Sequence, residues 1–290
     1  MSAGISWKVE LAGRLSAVDV DRFEFVTEDF LGPLALPLGV IDEARDRGPV
    51  SLHGLSLSIG STDPLSWAYV EALRWLVERV RPEIVSDHLA WSTFGGEHAY
   101  DLLPLPMTEE ALRHVAERVE RVQDRIGQPL CLENPARLFA YPHDELTEGE
   151  FFAELAARTG CGMLLDVNNV AVTAHDLGLD PVAALDAYPA SAVRELHLAG
   201  HRRTPTRWYD THDRPVDDHV WGLYARAVDR LGPLPTVIEW DTRHPPIDAM
   251  VADAVRARAI CARQALARSI ARSTTSSSAS HPGSSSDSPL

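Results

Sequence analysis

Val193-Arg-Glu-Leu-His-Leu-Ala-Gly-His201 is a short apolar run that carries a histidine near its end and is broken by a glycine. Val193–Leu198 has the length and apolar character of a strand buried on both faces. The segment beyond it, ending in Trp208-Tyr-Asp-Thr-His-Asp213, is too polar for a core strand and reads as a loop. Together they hold His197, His201, Asp210, His212 and Asp213. Imidazole and carboxylate are ligands that suit iron, zinc and manganese. A strand that delivers a histidine, followed by a loop carrying Asp-x-His, can surround a metal ion. Taken alone, the stretch is equally compatible with a polar surface loop.

The same pattern recurs along the chain. Ile5–Glu10, Arg22–Val26, Val50–Ser58, Glu83–Trp91, Pro129–Glu133, Gly162–Val167, Ala192–Leu198 and Thr236–Trp240 are strand candidates. Helical patterns separate most of them. Asp63-Pro64 supplies an N-cap and a proline at the first helical position, ahead of the stripe Leu65, Ala68, Tyr69, Ala72, Leu76 and Val80. A second helix opens near Thr108, with Leu112, Val115, Val119, Val122 and Ile126 on its buried face. Thr147 and Glu150 form a capping box. Asp180-Pro181 opens another helix, Val220–Leu231 marks the next, and the last runs from Ile247 into an Arg/Ala-rich stretch. Strands alternating with helices in this way predict an α/β fold, a (β/α)8 TIM barrel spanning residues 1–272. Residues 273–290 are Ser-rich with almost no apolar side chains, and are expected to form a disordered tail.

Composition narrows the function. The chain of 290 residues is 45% hydrophobic, which suits one large globular domain. No run approaches a membrane span, and the first residues lack the layout of a signal peptide. Cys131, Cys161 and Cys261 are far apart and form no Cys-x-x-Cys, and Cys131 and Cys161, in apolar strand-like runs, read as buried reduced thiols. A cytoplasmic protein is expected. The formal charge of −15 argues against nucleic acid as the partner.

In a barrel of this kind the active site lies at the carboxyl ends of the strands. The residues at or near those ends include His53, His88, Glu133, Asp166, His197 and Glu239. Any one of them can be a satisfied buried side chain. Several carboxylates buried together would have to protonate unless cations are present. Three histidines and three carboxylates exceed the needs of one tetrahedral ion and suit two, with a carboxylate as bridge. Asn169, Asp210 and His212 offer a third set. The ligand types leave iron, manganese and zinc open. Asn134, Asn168, His175, His201, Asp213, Trp240 and Asp241 are read as groups that hold ligands or touch substrate. Trp91 and Trp208 either line a peptide groove or simply pack. Asp87 precedes His88 and is expected to face the other side of its strand.

The motifs also resemble a known family. They are Ser-Leu-His-Gly-Leu-Ser-Leu-Ser (51–58), Ser-Asp-His-Leu-Ala-Trp-Ser (86–92), Leu-Glu-Asn-Pro (132–135), Leu-Leu-Asp-Val-Asn-Asn-Val (164–170), Glu-Leu-His-Leu-Ala-Gly-His (195–201), Asp-Thr-His-Asp (210–213) and Ile-Glu-Trp-Asp (238–241). Together, over about residues 4–260, they resemble the DUF692 family of multinuclear non-haem iron-dependent oxidative enzymes, which includes methanobactin-biosynthesis and related peptide-modifying oxygenases. The resemblance implies a barrel of the xylose-isomerase and endonuclease IV type with two or three irons, in a mixed-valent Fe(II)/Fe(III) working state. It implies O2-dependent modification of a ribosomally made precursor peptide, frequently at a cysteine. A separate partner protein often presents the peptide. Carried over by position, His53 and His88 hold one iron and Glu133 bridges to a second. Asp166, His197 and Glu239 complete the second site; Asn169, Asp210 and His212 form the third.

The layout is also similar to the trinuclear zinc barrel of endonuclease IV, where a histidine usually stands three residues after the strand aspartate. Here that residue is Asn169, a weaker ligand. The rival reading is therefore a zinc- or manganese-dependent hydrolase or nuclease using a metal-bound hydroxide. A sugar isomerase is a weaker rival, because no obvious catalytic lysine stands at a strand end. A non-catalytic scaffold would be free to lose ligands, and this chain has kept its set.

Overall fold

The computed structural model describes residues 2–241 and 247–278, with side chains described as far as 268. Eight parallel strands close into a barrel. In chain order they are β1 (Ala3–Ser6), β2 (Phe23–Val26), β3 (Val50–His53) and β4 (Ile84–His88), then, after a hairpin of β5 (Trp91–Phe94) and β6 (Glu97–Leu103), β7 (Cys131–Glu133), β8 (Gly162–Asp166) and β9 (Val193–Leu198). A second hairpin, β10 (Arg202–Arg203) with β11 (Trp208–Tyr209), precedes the last barrel strand, β12 (Thr236–Ile238). The helices are α1 (Gly39–Arg45), α2 (Trp67–Val80), α3 (Glu109–Ile126), α4 (Glu148–Thr159), α5 (Val167–Leu177), α6 (Pro181–Ala187), α7 (Asp218–Leu231) and α8 (Ile247–Ser278). All eight expected strands are present.

Local chemistry sets most helix ends. Thr108 Oγ1 accepts the Ala111 amide to open α3, and Gly127, with φ +76°, closes it. The Thr147–Glu150 capping box opens α4, and Asp180 with Pro181 opens α6. One expected start is corrected. Helix α2 begins at Trp67 with Ser66 as its cap. The Asp63 carboxylate instead accepts the amides of Gly95 and Gly96, at 2.8 and 3.0 Å, and so ties down the β5–β6 turn. The boundary expected at 273 falls inside α8, which continues to Ser278; the remaining tail residues, 279–290, lie outside the described residues.

The register places the functional residues. In a parallel pair, partnered residues face the same side of the sheet. His88 is partnered with Glu133, and Asp166 with His197. Gly200 is required where β9 runs into its loop. A Cβ there would lie 2.3 Å from the Arg214 carbonyl oxygen and 2.5 Å from that of Pro215. Among the described residues, no helix is long and apolar enough to cross a membrane. The three cysteines are buried and free.

Candidate metal centre

His53, His88, Glu133, Asp166, His197, Glu239 and His212 are all buried, and the carboxyl ends of the barrel strands and the loop after β11 bring them together. Two groups of donor atoms within 4.8 Å of one another share a residue: His53, His88 and Glu133 form one, and Glu133, Asp166, His197 and Glu239 the other. Glu133 Oε2 lies 3.3 Å from Nε2 of both His53 and His88, and Oε1 lies 3.9 Å from His197 Nδ1. Glu239 plays the same linking part further round the rim. Its Oε2 is 3.1 Å from His197 Nδ1 and 3.2 Å from His212 Nδ1. His212 Nε2 in turn lies 2.6 Å from Asp210 Oδ1 and 3.9 Å from Asp166 Oδ2. His212 adopts φ +41°, a conformation that a non-glycine residue holds only when its surroundings impose it.

Each ring is oriented from behind. Ser86 Oγ donates to the Leu52 carbonyl, so it accepts His53 Nδ1–H at 2.9 Å and leaves His53 Nε2 as a lone pair. The Gly54 carbonyl accepts His88 Nδ1–H at 3.2 Å, with the same result. Glu24 Oε2 lies 3.0 Å from His197 Nε2 and accepts its proton, turning Nδ1 toward Glu239 and Glu133. Such partners fix the tautomer and raise the basicity of a metal-binding histidine.

The electrostatics fit cations. Burial lifts the Glu133 carboxyl well above the usual carboxylate range, with the Glu239 and Asp166 charges adding to it. Burial pushes Asp166 up to about 6 and His88 down to about 4. Burial also depresses His53, and the neighbouring His88 depresses it further. Among the buried atoms without a hydrogen-bond partner, four stand at this rim: His53 Nε2, Glu133 Oε2, Asp166 Oδ2 and Asn169 Oδ1. Buried polar atoms normally find partners. Orphaned donors gathered at one rim, all nitrogen and oxygen, fit metal ions.

The chain matches the model of the RiPP precursor modification enzyme family MbnB/TglH/ChrH over residues 2–262. The chain belongs to that family. A UPF0276 protein of Anaeromyxobacter sp. (strain Fw109-5) is 49% identical over 238 residues, covering 82% of this chain and 84% of the relative. A UPF0276 protein of Caulobacter vibrioides is 45% identical over 240 residues, covering 83% and 86%. Among solved structures, endonuclease IV from Thermus thermophilus superposes with a TM-score of 0.61 at 17% identity, covering 90% of this chain and 98% of that one. An L-ribulose 3-epimerase gives 0.59 at 17% identity, covering 97% and 99%. These two show the shared barrel.

In this MbnB/TglH/ChrH-family chain the flanking residues differ in what they touch. Asn134 clamps the first turn after β8: its side chain donates to the Asp166 carbonyl and accepts the Asp166 amide. Asp166 caps α5 through the Asn169 amide, so the ligand candidate also starts a helix. Asn169 donates to the Asn134 carbonyl. Asp241 Oδ2 lies 3.2 Å from His212 Nδ1, and its Oδ1 meets Lys8. Asn168 and His201 lie behind Asp210. Asp213 turns away, toward Thr211, Arg214 and Arg202. Trp208 stacks on His175 and His201. Trp91 lines a cavity of about 650 Å³ with Phe94 and Leu105. As expected, Asp87 serves the back of its strand: it accepts the Leu57 amide at 3.1 Å.

Three buried charged residues next to the centre escaped the sequence reading. Glu24, Glu195 and Arg22 lie inside the barrel, with Glu195 Oε1 3.0 Å from Arg22 and 3.2 Å from Ser51 Oγ. Burial lifts Glu24 to about 7. An arginine and a glutamate of opposite charge in two otherwise apolar runs were the available signal.

Proposed function

We propose that this enzyme holds two or three non-haem irons at the barrel mouth. It uses O2 to oxidise a residue of a ribosomally synthesised precursor peptide, with cysteine the favoured target, in the cytoplasm. The observation that carries this reading is the set of four buried donor atoms at the barrel mouth that lack a hydrogen-bond partner, in a chain of a precursor-modifying family. A separate protein that presents the peptide accords with the same family membership.

The residues present would hold the ions as follows. His53, His88 and Glu133 take the first. Glu133, Asp166, His197 and Glu239 take the second. Asp210, His212 and Asn169 take the third. When bound, iron in mixed Fe(II)/Fe(III) valence supplies a Lewis acid that lowers a thiol pKa and a redox couple for O2. The chain's own residues do the rest. Glu133 and Glu239 tie neighbouring sets together at fixed spacing. Ser86, the Gly54 carbonyl and Glu24 hold the histidine tautomers. The buried walls exclude water from the reacting groups.

The test is reconstitution with iron under anaerobic conditions, followed by O2 and a cysteine-containing precursor peptide encoded beside the gene. Mass spectrometry of the peptide should show a mass change that requires both iron and O2. An unchanged peptide, or a change that proceeds with zinc and without O2, refutes the proposal.

A further inference from the structure

Behind Asp210 runs an unbroken chain of hydrogen bonds that the metal ligands do not explain. Arg203 Nε donates to His201 Nε2 at 2.9 Å. A guanidinium cannot accept, so His201 Nε2 is a lone pair and the proton sits on Nδ1. That Nδ1–H donates to Asn168 Oδ1 at 2.7 Å. The Asn168 amide nitrogen then has its hydrogens free to donate, and one goes to Asp210 Oδ1 at 2.7 Å. The direction of every bond is fixed by the arginine at the far end, and the amide orientation of Asn168 follows from it.

The surroundings hold this chain rigid. His201 and Asn168 are buried. The Trp208 ring stacks on His201 at 4.5 Å and on His175 at 4.3 Å, and the Arg203 guanidinium lies over it at 4.1 Å. Asp217 accepts from the other side of Arg203. The β10–β11 hairpin thus supplies both the arginine that orients the chain and the tryptophan that packs it. Its continuation carries Asp210 and His212.

We propose that Arg203, His201 and Asn168 are positioning residues that aim the Asp210 carboxylate at the third metal ion, so that occupancy of this ion alone depends on them. The proposal rests on the metal-centre reading above. It assigns the hairpin a role in tuning the number of ions the barrel holds. Asn169 is a weaker ligand than histidine, so the third ion leans more heavily on Asp210 and His212 than the other ions lean on any pair. Partners that orient a ligand typically change metal affinity by about 10- to 100-fold.

Anaerobic Co(II) titration of the metal-stripped full chain tests this, with ions counted by elemental analysis and visible absorbance. It needs neither iron nor turnover. Wild type should take up three ions. His201→Ala and Asn168→Ala should keep two and weaken the third by about tenfold or more. His201→Gln should restore it, because glutamine offers an acceptor to Arg203 and a donor to Asn168. Arg203→Met changes only the half-exposed end of the chain and should weaken the third ion while leaving the other two unaltered. Third-ion affinity that is unchanged in His201→Ala or Arg203→Met overturns the proposal, as does His201→Gln behaving like alanine. A wild type that binds only two ions overturns it and leaves the two-ion reading standing. A wild type that binds none overturns both.

Discussion

The Nε2 atoms of His53 and His88 lie at the same distance, 3.3 Å, from one oxygen, Glu133 Oε2. Two imidazole lone pairs and a carboxylate oxygen at such spacing repel one another unless a positive charge sits among them. Glu133 also faces His197, so removing it should disturb two sets at once. Glu133→Ala is expected to lose at least one metal ion per chain and to abolish peptide modification. Elemental analysis and a single-turnover assay check both. Retained turnover would remove Glu133 from the centre.

Glu24 holds the far side of the His197 ring. Glu24→Gln keeps the shape but removes the charge that accepts His197 Nε2–H at 3.0 Å. The second ion should bind about 10- to 100-fold more weakly, with the first unaffected. Competition with a chromophoric chelator measures it.

Metal affinity should depend on pH in a stated direction. Ligands bind metal only when deprotonated. Asp166, pushed up to about 6 by burial, keeps its proton below that pH, and burial likewise lifts Glu133 well above the usual carboxylate range. His88, pushed down to about 4, offers its lone pair throughout. Affinity should therefore rise from about pH 5 to about pH 8, with protons released on loading. Chelator competition across that range, with pH-stat counting of protons, checks the sign; a flat profile contradicts it.

Gly200→Ala places a methyl group 2.3 and 2.5 Å from two backbone oxygens. Backbone cannot swing aside as a side chain can. A loss of about 1–3 kcal/mol is expected, together with displacement of the loop that carries Asp210 and His212. Denaturant unfolding reads the first effect and the metal count the second.

Most of the fold was legible because each barrel strand is an apolar run bounded by turn residues, and all six strand-end donors lie within such a run or close it. Glu239 lies just past the end of β12. The interior of the barrel was less legible. Arg22-Phe-Glu-Phe alternates like a strand with one wet face, yet Arg22 and Glu24 point into the barrel and are buried. Period-two patterning gives the face but not whether that face meets water. Asp63-Pro64 misled for a related reason: the pair is a good helix start, and the carboxylate was claimed instead by a hairpin turn distant in sequence. Helix α5 was hidden because its cap, Asp166, is also the strand-end donor. The roles of Asn168 and His201 depend on a hairpin whose strands are two residues each, too short to show a period.

The most direct test of the central claim is the metal content of protein purified from iron-supplemented cells, by elemental analysis with Mössbauer spectroscopy. Two or more irons per chain, with both ferrous and ferric signals, are expected, together with loss of iron in Glu133→Ala. Stoichiometric zinc with no iron, persisting after anaerobic iron loading, would contradict it and favour a hydrolase.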